Sequence, residues 1–282
     1  IVRDLYAGVR AARELSLMGS ISAFAPIVAP MIGGVLQIVF GWRASFILMG
    51  LAAIVATGLA ARLLPETLRT PTTAPFSLAF LFTSYGSVLR HRGFLAYLAI
   101  IAMSFAGLFA WISGGAVVLE EVYGFSAVKF GFTFSLGAAG YMIGAIIATR
   151  LVVRLGLDRM MALGVAAIAA GGLGFVLAVA IRVDGIWLVV AMAVYLAGMG
   201  LAIPQAMAGA LTPFPDRAGT AASLMGLVQQ TAAAIVAAAI GDYLGHSAWP
   251  VAGVVVATSC LTLLIWLVTR HLRGRPADSG RT

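Results

Sequence analysis

Few side chains in this 282-residue chain could do chemistry in an apolar setting. Glu120, Glu121 and Asp242 are the acids nearest to long apolar runs, each close to the end of one. A carboxyl placed there can bind and release a proton as its access to water changes, so these three are the candidates for proton coupling. A second group is uncharged. Phe105, Phe109, Trp111, Tyr141, Tyr195, Gln205, Gln229 and Gln230 all fall within apolar runs. A glutamine in such a run needs a partner or a water-filled cavity, and aromatic rings offer apolar faces. These eight are the candidates for lining a cavity; tight helix contacts or a lipid-facing stripe would use the same residue types. His91, His246 and His271 stand apart without metal-ligand spacing, and no phosphate loop or nucleophile elbow occurs. The sequence points to no enzyme, no metal and no cofactor.

The third pattern is conformational. Leu15–Phe40 carries no charge and contains Pro26 and Pro30 one helical turn apart, followed by Gly33 and Gly34. Each proline removes a backbone donor and bends a helix, while the glycines admit another backbone at close range. About 20 apolar residues in a helix cross the hydrocarbon core of a bilayer.

Such residues can be positioned only by membrane-spanning helices. The chain is 62% hydrophobic and 10% charged, with a mean hydropathy of +1.05; a soluble domain carries about 25% charged residues. Cys260 stands alone, so no disulfide framework exists. The net charge of +8 comes from arginines clustered between apolar runs, a pattern of topology and not of nucleic-acid binding. Eight spans are predicted: 15–40, 44–64, 94–119, 126–153, 160–181, 186–211, 218–244 and 250–268. Alternate connections hold 15 of the 18 basic residues, including Arg3, Arg150, Arg154, Arg159 and Arg217, while Arg43, Lys129 and Arg182 lie on the other side. That asymmetry predicts both termini in the cytoplasm.

An internal repeat adds an expectation about the chain's extent. At an offset of 207 positions Ser16–Gly19 falls on Ser223–Gly226, with Arg10 on Arg217, Gly34 on Gly241 and Trp42 on Trp249. Both copies run in the same direction, as in transporters built from two parallel halves. The same offset puts Asp242 where the first copy has Val35. With Ile1 in place of a starting methionine, the offset predicts a fragment lacking about four helices of a twelve-helix protein. On that scheme residues 1–68 hold the end of helix 4 with helices 5 and 6. Residues 69–92 are a cytoplasmic linker, 93–272 a six-helix C-terminal half and 273–282 a polar tail.

The chain resembles the major facilitator superfamily, and within it the drug-resistance branch of bicyclomycin and chloramphenicol exporters (Bcr/CflA). The residues carrying the likeness are Val2–Tyr6, Ala25–Gly34, Gly41-Trp42-Arg43 with Phe46, Pro65–Leu68, Tyr123–Ser126 and Pro204–Gly219. The resemblance implies an all-α polytopic membrane protein whose Pro26, Pro30, Gly33 and Gly34 form the antiporter motif of proton-coupled exporters. It assigns loop charges that gate the helices to Arg3, Asp4, Arg150, Arg154, Asp158, Arg159, Asp216 and Arg217. It also implies a bacterial inner membrane, a small-molecule substrate, protons as coupling ions and a monomeric full-length protein. The chain departs from the family pattern in Ser113-Gly114-Gly115, where relatives tend to have Ser-Pro, and in the loosely matched loop Arg150–Arg159. The family's acidic coupling residue in helix 1 has no counterpart among the predicted spans. Proton-coupled drug efflux is the function expected. A non-pumping channel, a membrane scaffold or half-molecule, or carriage of a metabolite or sugar are the alternatives. The family fold further implies that the first span lies against the fourth, and Gly33 and Gly34 are expected on the surface Gly137–Gly144. The seventh span is expected to expose a polar face at Gln229 and Gln230.

Overall fold

The computed structural model describes residues 28–63, 85–214, 217–243 and 247–272, and among them every extended run is helical. Helix α1 covers Val28–Phe40, and α2 Arg43–Leu63. Helix α3 is Arg92–Val117, continued by one π turn, Val118–Val122. The run Ala127–Ala180 is 54 residues long and broken at Gly156, so it makes α4 (127–155) and α5 (157–180). Then come α6 (Gly185–Leu211), α7 (Ala218–Tyr243) and α8 (Trp249–Val268). At 1.5 Å per residue the 54-residue run would measure about 80 Å, more than twice the hydrocarbon core, so it supplies two spans. The eight helices coincide with the eight predicted spans, and the start of the first lies outside the described residues.

One difference concerns Arg150–Arg159, predicted as a loop. The chain stays helical on both sides of Gly156, whose φ of 77° and ψ of 166° make the whole break. Only glycine occupies that region without strain, so a single residue redirects the chain. Arg150, Arg154, Asp158 and Arg159 are therefore exposed on helix ends and not on a loop.

The polar residues between spans work as caps. His91 Nδ1 accepts from the Phe94 amide at 3.1 Å at the start of α3, and Asp184 accepts from the Ile186 amide at 2.9 Å at the start of α6. Ser126 receives the Lys129 amide at 3.3 Å ahead of α4. Each satisfies a donor that the first helical turn leaves over.

Residue contacts divide the chain into two units, Ile1–Phe76 with Ser126–Ser135, and Ser77–Phe125 with Leu136–Thr282. In the first, α2 buries none of its residues. Its apolar surface suits hydrocarbon, and Trp42 packs edge-on against Phe46 with the Arg43 guanidinium 4.6 Å from its ring centre. In the second, α3 is central and touches α6, α7 and α8. Its Trp111 meets Phe175 of α5 at 5.6 Å between ring centres. The core includes Phe94, Ile100, Ile101 and Met192. Buried hydroxyls turn back onto their own helices: Ser104 to the Ile100 carbonyl, Ser259 to Val255 and Thr262 to Thr258. In hydrocarbon no water could satisfy them, so the local bond is the economical solution.

Candidate substrate path and helix seam

In the first unit the proline-glycine helix has a definite partner. Gly34 of α1 is buried, and a methyl on it would stand 2.8 Å from the Ala127 carbonyl oxygen of α4. Conversely, a methyl on Gly131 would stand 2.6 Å from the Pro30 carbonyl oxygen. The two helices thus touch backbone to backbone, one turn apart on each. Ser135 donates to the Gly131 carbonyl at 2.8 Å and satisfies it at the seam's edge. Met31, Ile32, Val35, Leu36 and Phe132 line an apolar crevice of about 300 Å³ beside it.

This corrects the expected register of the seam. Gly33 has nothing within 4 Å of an added methyl, and Gly34 and Pro30 meet Ala127 and Gly131. The small residues at 137–144 have another use, since Gly140 and Gly144 admit the Ala193 and Ala197 carbonyls of α6. Spacing alone does not say which of two small-residue surfaces a helix will use; Gly131, earlier on α4, was the missed partner. Its signal was the four-residue rhythm of 127–135, where Ala127, Gly131 and Ser135 share one face.

In the second unit the cavity candidates separate by burial. Tyr195 is fully buried, and its hydroxyl donates to the Ser104 carbonyl at 2.8 Å. It stands where α3, α6 and α8 meet, against Gly107 and Thr258. Trp111 is buried against Phe175, and Gln205 is buried one residue after Pro204, which interrupts the hydrogen bonding of α6. Phe105, Phe109, Tyr141 and Gln229 are half-buried, and Gln230 is exposed.

Helix α7 presents two faces. Ala221, Leu224, Met225, Ala233 and Ile240 are buried. Away from them run half-exposed Thr220 and exposed Ser223, Gln230 and Thr231. Spacings of three, seven and eight put these four side chains on one stripe. The expected polar face at Gln229 and Gln230 therefore holds for Gln230 only, since half-buried Gln229 shares the face of buried Met225 and Ala233, while Thr220, Ser223 and Thr231 were missed. Their i, i+3, i+11 spacing within an alanine-rich span was the available signal. Toward one end of the stripe Tyr85 and Ser223 share a 3.1 Å hydroxyl hydrogen bond, and Arg217 donates to Ser87 at 3.1 Å.

The acidic candidates sit at helix ends. Glu120 and Glu121 lie in the π turn that closes α3, the first half-buried and the second exposed. π turns interrupt regular bonding and recur at functional positions. Arg3, Asp4, Pro26 and Asp216, with the side chain of Asp242, lie outside the described residues. Arg217 is exposed at the start of α7. Among the described residues no group of His, Cys, Asp and Glu could hold a metal ion. A groove of about 510 Å³ between α5 and α6 is lined mainly by apolar surface and by none of the predicted cavity residues.

The architecture agrees with what the chain is similar to. Over 277 residues it is 26% identical to a bicyclomycin resistance protein homolog of Haemophilus influenzae, covering 98% of this chain and 70% of that one. It is 31% identical over 235 residues to multidrug resistance protein D of Escherichia coli, covering 83% and 58%. With multidrug resistance protein MdtL of Salmonella paratyphi B it shares 29% over 270 residues, covering 95% and 63%. Against the last two relatives the chain thus spans less than two thirds of the relative's length. The inward-facing crystal structure of a bacterial homologue of the iron transporter ferroportin superposes with a TM-score of 0.66 over 97% of this chain and 66% of that one, at 19% identity, which establishes a shared fold. The Major Facilitator Superfamily profile matches residues 1–237, and the chain, a multi-pass membrane protein, belongs to that family of transporters.

Proposed function

We propose that the protein exports small amphipathic compounds across the bacterial inner membrane by exchange for protons. The observation that carries the reading is the polar stripe Thr220–Thr231 on an otherwise apolar spanning helix. Such a face is costly against hydrocarbon and useful against a wet path for solute. The resistance proteins that the chain resembles over nearly its whole length support export as the direction. Half-buried Phe105, Phe109 and Tyr141 supply apolar contact for the substrate, and Gln229 and Gln230 supply adjustable hydrogen bonds. Glu120, Glu121 and Asp242 are the coupling candidates. The seam of Pro30 and Gly34 with Ala127 and Gly131 holds the helices closely enough to stop leakage past them. The basic-residue split supports cytoplasmic termini, and the working unit is a monomer.

Energised everted inner-membrane vesicles, given a fluorescent cationic dye in the bath and read for its uptake into the lumen, provide the test. Dye movement should stop when a protonophore collapses the gradient. Movement that instead follows the dye's own gradient would make the protein a channel and overturn the proposal. Gln230→Leu should change the ranking of transported compounds. Glu120→Gln or Asp242→Asn, at whichever position couples, should abolish proton-driven export while dye exchange down its gradient persists.

A further inference from the structure

The apolar groove between α5 and α6 takes no part in the path just described, and the turn at one end of it carries the exposed charges of Arg182 and Asp184. Its walls run from Gly171 and Gly174 to Ile181, Val183 and Trp187, with Ile181 71% and Trp187 57% exposed. Helix α5 ends there in a Schellman turn: the Val183 amide donates to the Ala178 carbonyl and the Arg182 amide to Val179, both at 3.3 Å. That turn places Arg182 at a φ of 53°. The position ordinarily goes to glycine, because a side chain there crowds the backbone. A long cation kept where glycine is more stable is an outlier that asks for a use beyond the cap. Two residues later Asp184 caps α6, exposed, beside Tyr123. Burial holds the Tyr123 phenol above its ordinary pKa, and the Asp184 carboxylate adds to the rise. Gly174 leaves the slot open, since a methyl there would touch only the Ala191 Cβ at 3.6 Å.

We propose that this groove binds one zwitterionic phospholipid, with an acyl chain along α5 and α6, its phosphate on Arg182 and its headgroup ammonium toward Asp184. The chemistry selects each part. Apolar walls accept hydrocarbon, the guanidinium accepts phosphate, and the adjacent carboxylate disfavours a headgroup of net negative charge. Trp187 at the mouth is the residue type that settles at the membrane–water boundary. The arrangement differs from ordinary lipid contact in having a slot between two helices whose connecting turn carries two opposite charges. On the orientation proposed above the site belongs to the outer leaflet, but its chemistry does not rest on transport.

The test follows quenching of Trp187 in purified protein in detergent, titrated with phosphatidylethanolamine brominated on its acyl chains. The relevant signal is the part absent from Trp187→Phe. It should saturate at one lipid per chain, with brominated phosphatidylglycerol and diacylglycerol binding at least about fivefold more weakly. Arg182→Gly should weaken phosphatidylethanolamine about fivefold while leaving the melting temperature unchanged or higher, because glycine suits that backbone. Gly174→Leu should fill the slot and remove the saturating component. Quenching that rises in proportion to lipid without saturating would overturn the proposal. So would a saturating signal that ignores Arg182→Gly and Gly174→Leu, or equal affinity for phosphatidylglycerol. Since no step of the assay moves solute, failure of the export reading would leave its result intact.

Discussion

Gly33 and Gly34 are neighbours of identical chemistry, so replacing each with alanine isolates what surrounds them. In a helix interior alanine is favoured over glycine by up to about 1 kcal/mol. At Gly33 the new methyl meets nothing within 4 Å, and that gain should survive. At Gly34 it would lie 2.8 Å from the Ala127 carbonyl oxygen, with the Ala127 carbonyl carbon and the Val128 Cα at 3.5 Å. All three are backbone atoms that cannot rotate aside. Helix α1 would have to retreat by about half an ångström, loosening the rest of the seam; overpacking of this kind costs about 1–3 kcal/mol. Gly34→Ala should therefore be less stable than Gly33→Ala by about 1–3 kcal/mol, read as a lower melting temperature by circular dichroism in detergent. Gly131→Ala, which drives a methyl to 2.6 Å from the Pro30 oxygen, should behave like Gly34→Ala. The double variant should fall short of the sum, because one retreat relieves both contacts. Since the seam is built from backbone contacts and contains none of the polar cavity candidates, Gly34→Leu should reduce resistance to every exported compound by a similar factor. Equal melting shifts for Gly33→Ala and Gly34→Ala would refute the reasoning, as would the loss of a single drug.

Two further outcomes are expected. Tyr195→Phe removes the bond to the Ser104 carbonyl and should cost about 1 kcal/mol while leaving the drug profile unchanged. Gly107→Ala should be worse, because its methyl meets both the Tyr195 hydroxyl and the Thr258 hydroxyl, and adding Tyr195→Phe should partly rescue it; melting curves of the three variants decide. In a Cys260→Ser background, a cysteine at Ser247 should react with an impermeant maleimide in intact cells, and one at Ser77 only after permeabilisation. Reversed labelling would invert the proposed orientation.

Much of the architecture was legible because a bilayer writes simple rules into sequence. Runs such as Trp249–Val268 must be long and apolar, and the Asp184, Ser126 and His91 caps mark where they start. The break at Gly156 was not legible as a one-residue turn, since the charges of Arg150–Arg159 look the same on a loop and on helix ends. Packing partners were harder still. Gly131 and Gly140 are equally small, yet one receives α1 and the other α6, a choice made by helix rotation and not by residue type. Tyr195 illustrates the same limit for polar atoms. A phenol inside an apolar run fits a wet cavity and a dry helix junction alike, and only the Ser104 carbonyl distinguishes them.

The uncovered faces carry the functional argument, because equal exposure has unequal consequences in a membrane. Helix α2 buries nothing, and its Phe46, Met49, Ile54 and Leu63 need nothing more than lipid. The α5–α6 groove is apolar along its walls, with Arg182 and Asp184 in the turn at one end, an order of chemistry like that of a phospholipid. The stripe on α7 is different in kind, with Ser223, Gln230 and Thr231 uncovered along the helix. Hydrocarbon against that stripe would leave polar groups unsatisfied at several kcal/mol each in the worst case, whereas water or a hydrogen-bonding solute would satisfy them. Ser223 already answers part of that demand by bonding Tyr85 and the Thr220 carbonyl. Gln230, with a donor and an acceptor at the end of a flexible stem, is the member best able to adapt to different compounds. Breadth of substrate choice in a transporter calls for groups of that kind, which is why the proposed export reading rests on this face more than on the apolar groove between α5 and α6.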